Sequence, residues 1–143
     1  MRRSAEVFAD TSGWATYFLN TEPAHDLSKV LMQGFHSNKT RILTTNYVLA
    51  ELAALLIRLR SAHVMRIKIL DTIHSSAWVE IVYIDPAVDR EALELLKSRA
   101  DKDWTLVDCT SFVLMKRREI QEALTTDHHF EQAGFVALLT QSA

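Results

Sequence analysis

The sequence predicts a three-layer α/β/α sandwich with a mainly parallel sheet of about five strands. Short β-type runs alternate with helical segments along the chain, and elements in this order build parallel sheets covered by helices on both faces. The length of 143 residues and the hydrophobic fraction of 48% suit one ordinary globular core. Neither a repeat nor a linker interrupts the sequence, so residues 1–143 are expected to form a single domain.

Five short β-prone runs are expected to form the strands. The segment WVEIVYI alternates and is rich in β-branched residues, which makes it the clearest of them. Three of the others lead directly into helical patterns, as strands of βα units do. The predicted strands cover residues 7–9, 41–44, 78–84, 122–126 and 135–139.

The segments between these strands show helical periodicity or helix-end signals. Pro86 suits the first turn of a helix, and Gly134 suits the position just after the end of one. The predicted helices cover residues 12–19, 25–37, the stretch TTNYVLAELAALLIRLR at 44–60, 63–75, 86–99, 106–119 and a short HHFEQAG helix at 128–134.

Composition and charge exclude several classes of protein. The single cysteine, Cys109, rules out an internal disulfide framework and a thiolate-rich zinc site. No apolar run approaches the roughly 20 residues that a membrane-spanning helix needs. Arg2 and Arg3 are followed at once by acids rather than by an apolar segment, so we expect no signal peptide, no membrane association and a cytoplasmic location.

The net charge of −2 weighs against a generic nucleic-acid binder, although basic residues are locally concentrated. Taken alone, such clusters are typical of solvated helix faces. Two clusters are present: Arg58, Arg60, Arg66 and Lys68 in the first, and Lys116, Arg117 and Arg118 in the second.

Three acids follow strands or precede helices, where capping would explain each of them. Asp10 follows the first predicted strand, Asp108 opens the DCTSFVLM helix, and Asp127 precedes the HHFEQAG helix. Aspartate is a preferred N-cap residue, so none of these acids alone indicates a functional site. In a parallel sheet, however, Asp10 and Asp127 should open onto the same edge, where α/β proteins bind their ligands.

Glu51 is the acid that capping does not explain. It lies within the 44–60 helix, and its neighbours three and four residues away include Tyr47, Val48 and Leu55. An ionised carboxylate in such a setting needs a partner, a shifted pKa or a bound cation. An ion pair with Arg58 is the structural alternative to a functional role.

A cluster of these acids would require a cation, because carboxylates at close range repel one another. Oxygen ligands suit a hard divalent ion such as Mg²⁺ or Mn²⁺. Asp103 is a further candidate for the cluster, although a surface loop is the better explanation of this acid. The adjacent His128 and His129 lack the spacing of zinc ligands, and the histidines are interpreted as structural or surface residues.

The motifs around these acids resemble those of the PIN domain. They are VFADTSGW with Asp10, TTNYVLAEL with Glu51, WTLVDCTSF with Asp108, and ALTTDHHFEQAGF with Asp127. Their order and element types, together with the total length of the chain, are similar to those of VapC-type toxin ribonucleases from about residue 6 to residue 139. None of the motifs is specific by itself, whereas four in the right order are strong evidence.

The resemblance implies a metal-dependent endoribonuclease that hydrolyses phosphodiester bonds in RNA. Asp10, Glu51, Asp108 and Asp127 would form an acidic catalytic site for Mg²⁺ or Mn²⁺. The supporting hydrogen bonds would come from Thr11, Ser111 and Thr125. A homodimer, RNA and a cognate antitoxin are the implied partners, and both basic clusters become candidate contacts with RNA or with a partner.

Three alternatives remain open from the sequence. A PIN-domain RNA-processing nuclease would need no antitoxin, and a non-catalytic PIN-like interaction domain would need no metal. A phosphorylatable receiver domain also collects acids at strand ends, but it needs a lysine after its last strand. The FVALLTQSA terminus has none, which counts against a receiver.

Overall fold

The computed structural model describes residues 5–140. Its sheet contains five strands in the order β3-β2-β1-β4-β5, and every neighbouring pair is parallel. The predicted parallel α/β architecture is therefore confirmed. The strands are β1 Glu6–Ala9, β2 Arg41–Thr45, β3 Val79–Val82, β4 Glu122–Leu124 and β5 Val136–Ala137.

Seven helices connect these strands among the described residues. The helices predicted at 25–37 and 63–75 have the predicted bounds. The bounds of the other five helices differ from the predicted ones by no more than two residues. None of the helices between residues 5 and 140 has the length and apolar character needed to cross a membrane. The helices are α1 Thr11–Phe18, α2 His25–Ser37, α3 Asn46–Arg58, α4 His63–Ser75, α5 Pro86–Ser98, α6 Leu106–Arg118 and α7 His128–Gln132.

Three strands are shorter than the sequence pattern predicts. The strand predicted at 78–84 spans only Val79–Val82, and the run at 135–139 contributes only Val136–Ala137. The run at 122–126 forms a strand only over Glu122–Leu124, and the hydroxyl of the next residue, Thr125, donates to Asp10 and accepts from the backbone N–H of Asp127. The predicted strands were too long because apolar residues beyond the paired positions, such as Ile84 and Leu139, also pack against the core.

The order of connections creates a crevice next to β1. From β1 the chain proceeds to β2 and β3 on one side, and then returns to β4 and β5 on the other side. Since such crossovers are right-handed, α1–α4 cover one face of the sheet and α5–α7 cover the other. The helices that pack closely against one another belong to the same group, which agrees with this arrangement. The direction of winding therefore reverses between β1 and β4, and parallel sheets bind ligands at such a switch point.

Tight packing fixes the elements around this crevice. The side chains of Phe8, Leu43 and Leu124 in the three central strands are completely buried. Helix α6 is buried along the whole segment from residue 108 to residue 115, so it lies in the interior of its layer. A buried scaffold of this kind holds the side chains at the strand ends in place.

Candidate active site

Asp10 lies at the switch point, directly after β1. It is the N-cap of α1, and its Oδ1 accepts hydrogen bonds from the backbone N–H of Gly13 and from the Ser12 hydroxyl, both at 2.8 Å. Its Oδ2 accepts a hydrogen bond from the Thr125 hydroxyl at 2.7 Å. The capping interpretation is therefore correct, and it coexists with a place in the crevice.

Burial controls the ionisation of Asp10, which is only 7% exposed. Desolvation raises the pKa of its carboxyl from 3.8 to about 7, and the negative charge of Asp127 adds to this rise. The hydrogen bonds from Thr125, Gly13 and Ser12 act in the opposite direction, because they favour the ionised form. The balance of these effects leaves the pKa of the Asp10 carboxyl near neutral pH.

A close approach of two backbones positions Asp10. A Cβ atom on Gly13 would lie 1.9 Å from the carbonyl oxygen of Leu124 in β4. Glycine at this position therefore allows the first turn of α1 to pack directly against β4. That contact brings Asp10 close to the residues that follow β4.

Glu51 points towards the same crevice from α3. Its Oε1 accepts a hydrogen bond from the Thr11 hydroxyl at 2.5 Å, and Thr11 is itself buried. Within residues 5–140, no ion pair joins Glu51 to Arg58, so the structural alternative is not realised. Glu51 is half-buried, and its partner is a hydroxyl beside Asp10.

Asp108 occupies the third position of α6 and is not the N-cap that the sequence pattern predicts. Thr105 is the N-cap, and its hydroxyl accepts a hydrogen bond from the backbone N–H of Asp108 at 3.0 Å. In return, Asp108 Oδ2 accepts a hydrogen bond from the backbone N–H of Thr105, which completes a capping box. The predicted start of this helix at Leu106 is correct, so the capping interpretation was wrong only for Asp108, which lies two residues inside the helix.

Asp127 caps α7 and is tied to Asp10 through Thr125. Its Oδ1 accepts a hydrogen bond from the backbone N–H of His129 at 2.9 Å. The backbone N–H of Asp127 donates to the Thr125 hydroxyl at 2.9 Å, and that hydroxyl donates to Asp10. Thr125 thus fixes the relative positions of the acids that follow β1 and β4.

The four predicted acids line one cavity of about 240 Å³. Ser111 also lines it, although its hydroxyl donates to the carbonyl of Val107 one turn earlier in α6. Asp103 is exposed and does not line the cavity. The lining residues are Asp10, Thr11, Ser12, Glu51, Leu55, Arg58, Val107, Asp108, Ser111 and Asp127.

Comparison with known proteins agrees with this geometry. The profile of the PIN domain matches residues 7–136. The chain belongs to the PIN domain family. The resemblance of the sequence to PIN domains is therefore confirmed.

This PIN domain is also similar to a characterised nuclease along almost its whole length. It is 32% identical over 130 residues to the 23S rRNA-specific endonuclease VapC20 of two Mycobacterium tuberculosis strains, with 91% of this chain and 95% of the relative covered. The crystal structure of Mycobacterium tuberculosis VapC20, described as a sarcin–ricin-loop-cleaving toxin, matches with a TM-score of 0.81 and 31% identity. That match covers 91% of this chain and 96% of the VapC20 chain, so the similarity to VapC-type proteins is also confirmed.

His129 is a residue of this PIN domain site that the sequence interpretation missed. Its Nδ1 lies 2.9 Å from Asp108 Oδ2 and 3.4 Å from Asp127 Oδ1. Asp108 is 21 positions away along the chain, so no local spacing indicates this contact. Ser12 was also missed, although its position two residues after Asp10 is a recognisable turn signal.

The basic clusters of this PIN domain lie at different distances from the acids. Arg58 lines the acidic cavity, whereas Arg60, Arg66 and Lys68 do not. Arg118 binds Glu6 at 2.9 Å and Glu80 at 2.8 Å.

The second cluster is therefore remote from the acids. It occupies the end of α6 opposite Asp108, and Glu6 opens β1 at the end opposite Asp10. Arg117 forms an ion pair with Glu91 rather than lining the cavity, and the neighbouring Lys116 is exposed.

Proposed function

We propose that this protein is a metal-dependent endoribonuclease that hydrolyses phosphodiester bonds in RNA, and that it is the toxin of a toxin–antitoxin pair. One observation carries the proposal: four carboxylates from separate parts of the chain line one cavity at the switch point of a PIN domain. The relative that matches over 91% of the chain is an RNA endonuclease, which supports the same reaction class.

The donor chemistry of the site fits Mg²⁺ or Mn²⁺. Asp10, Glu51, Asp108 and Asp127 offer carboxylate oxygens, which are the preferred ligands of hard divalent ions. Carboxylates at close range destabilise one another unless a cation offsets their charge. When bound, such an ion would act as a Lewis acid that stabilises charge on the phosphate and lowers the pKa of a bound water.

Hydrogen bonds from side chains and from the backbone hold the carboxylates in position before substrate arrives. Asp10 accepts three hydrogen bonds, and Thr11 fixes Glu51. The Asp127 side chain is 33% exposed, whereas Asp10 is almost completely buried. We assign to Asp127 the role of accepting a hydrogen bond from the attacking water, because it is the more accessible of the two acids that follow strands.

RNA must approach a negatively charged crevice, so nearby cations matter. Arg58 is the basic side chain placed at the cavity among the described residues, and its exposure leaves it available for a phosphate. Sequence-specific RNA recognition uses splayed bases in loops. We therefore propose single-stranded or looped RNA as the substrate, with the sarcin–ricin loop of 23S rRNA, the target of the relative, as the first RNA to test.

A protein partner and a homodimer are supported by exposed apolar surface. Five large apolar side chains at the α3–α4 corner are exposed, beside the basic residues of the first cluster: Ile57, Leu59, Val64, Met65 and Ile67. A separate, mostly apolar cavity of about 590 Å³ lies among α1, α2, α4 and the edge of β2 and β3. Exposed apolar areas of this kind are typical of interaction sites, which supports an antitoxin partner and a homodimer. We propose that the protein acts in the cytoplasm, where ribosomal RNA is found.

The decisive experiment is cleavage of a synthetic sarcin–ricin stem-loop and of an unrelated stem-loop, each with Mg²⁺, with Mn²⁺ or with a chelator. Asp10→Asn should abolish cleavage, while Asp103→Asn, the same change at an exposed acid outside the cavity, should leave it intact. Equal cleavage by the wild-type and Asp10→Asn proteins would refute the proposal. Cleavage of only the unrelated RNA would point to an RNA-processing nuclease, and calorimetry without metal binding would point to an interaction domain.

A further inference from the structure

His129 adds a nitrogen donor to a site that is otherwise made of oxygens. Asp108, Asp127 and His129 each offer one ligand atom, and these three atoms all lie within 4.8 Å of one another. A separation of this size allows them to bind one ion. The four acids predicted from the sequence contain no nitrogen, so this part of the site differs in chemistry from the rest.

The local sequence fixes the direction of this side chain. Phe130 is completely buried and anchors the short helix α7, and Asp127 caps the helix. Adjacent residues on a helix point about 100° apart, so His128 and His129 have different environments. His128 is 79% exposed and pairs with Glu131, whereas His129 is 27% exposed and contacts both acids.

We propose that His129 is a metal ligand and that it makes the site prefer Mn²⁺ to Mg²⁺. This inference rests on the proposed function, because it concerns the ion that the nuclease uses. Mg²⁺ binds oxygen ligands and accepts nitrogen poorly, whereas imidazole suits first-row transition metals. A nitrogen donor beside two carboxylates therefore raises the affinity for Mn²⁺ more than the affinity for Mg²⁺.

A purely structural role for His129 would be to hold Asp108 by a hydrogen bond. His129→Asn separates the two roles, because the amide nitrogen of asparagine approximates Nδ1 of histidine and can still donate to Asp108. The amide nitrogen cannot bind a metal in place of imidazole, since it has no free lone pair. His128→Asn is the matched control, because it removes the adjacent histidine that faces solvent.

The test uses the full-length protein without RNA. Pulsed electron paramagnetic resonance of bound Mn²⁺ should detect a directly coordinated nitrogen in the wild-type protein and in His128→Asn, and none in His129→Asn. Calorimetry should show that the ratio of Mn²⁺ affinity to Mg²⁺ affinity falls about tenfold in His129→Asn, which is at the low end of the affinity losses caused by changing outer-shell partners of a metal site.

Two outcomes would overturn the inference and differ in what they mean for the function. Mn²⁺ bound to the wild-type protein without a coordinated nitrogen would exclude His129 as a ligand and leave the proposed nuclease intact. Failure of the wild-type protein to bind either ion would refute both proposals. A wild-type spectrum without a coordinated nitrogen excludes the assignment even if the His129→Asn protein fails to fold.

Discussion

Replacing Asp10 with asparagine should change how stability depends on pH, because this carboxyl is buried and its pKa is raised. The Asp10 carboxyl ionises near pH 3.8 in the unfolded chain and near pH 7 in the folded protein. Between these values the folded state holds one proton more than the unfolded state, so the free energy of unfolding falls as pH rises. Above pH 7 Asp10 is ionised in both states, and the free energy of unfolding falls no further on account of this residue.

The difference between the two pKa values sets the size of the effect. A shift from 3.8 to about 7 corresponds to on the order of 4 kcal/mol, at about 1.4 kcal/mol per pH unit. Asp10→Asn lacks the titrating group, so its stability relative to the wild-type protein should increase by a similar amount between pH 4 and pH 8. Asparagine Oδ1 can still accept the hydrogen bond from Gly13, which preserves the cap.

Urea unfolding in chelator at several pH values, followed by tryptophan fluorescence, measures this difference directly. Asp103→Asn controls for the substitution itself, because Asp103 is exposed. Adding Mg²⁺ or Mn²⁺ at pH 8 should stabilise the wild-type protein more than Asp10→Asn, since ligand binding to the folded state adds to its stability. Stability curves that stay parallel from pH 4 to pH 8 would refute the assigned effect of burial.

Three further predictions test other parts of the site. Glu51→Gln should abolish RNA cleavage while thermal unfolding in metal-free buffer stays unchanged or shifts upward, because it relieves repulsion among the acids. Gly13→Ala should lower the free energy of unfolding by about 3 kcal/mol or more in urea titrations, because its Cβ would clash with Leu124, while Gly34→Ala, which has open space, should not. Arg58→Gln should raise KM for RNA. It should also make the slope of log K against log salt concentration shallower by about one, which corresponds to the loss of one phosphate contact.

Each of these predictions has a result that contradicts it. A large loss of metal-free stability in Glu51→Gln would mean that this carboxylate has a structural role. Equal stability of the Gly13→Ala and Gly34→Ala proteins would show that α1 can move away from β4 at little cost. An unchanged salt dependence in Arg58→Gln would exclude this residue as a phosphate contact.

The amino-acid sequence by itself determined the types and order of the elements. Helical periodicity and β-branched runs are local properties, so α2 and α4 were predicted with their exact bounds. The sequence also indicated which acids to examine, because Glu51 lies within a helix whose other residues are mostly apolar. The structure brings these acids to one cavity, and their catalytic roles stay predictions.

Only the tertiary structure decided which side chains meet across distant parts of the chain. His129 contacts Asp108, and Arg118 binds Glu6 and Glu80 at the edge of the sheet far from the acids. Strand order and the packing of α6 against its neighbours bring these residues together, and neither leaves a periodic signal in the sequence. The sequence therefore indicated the acids of the site, while the packing of α7 against α6 placed a nitrogen donor among them.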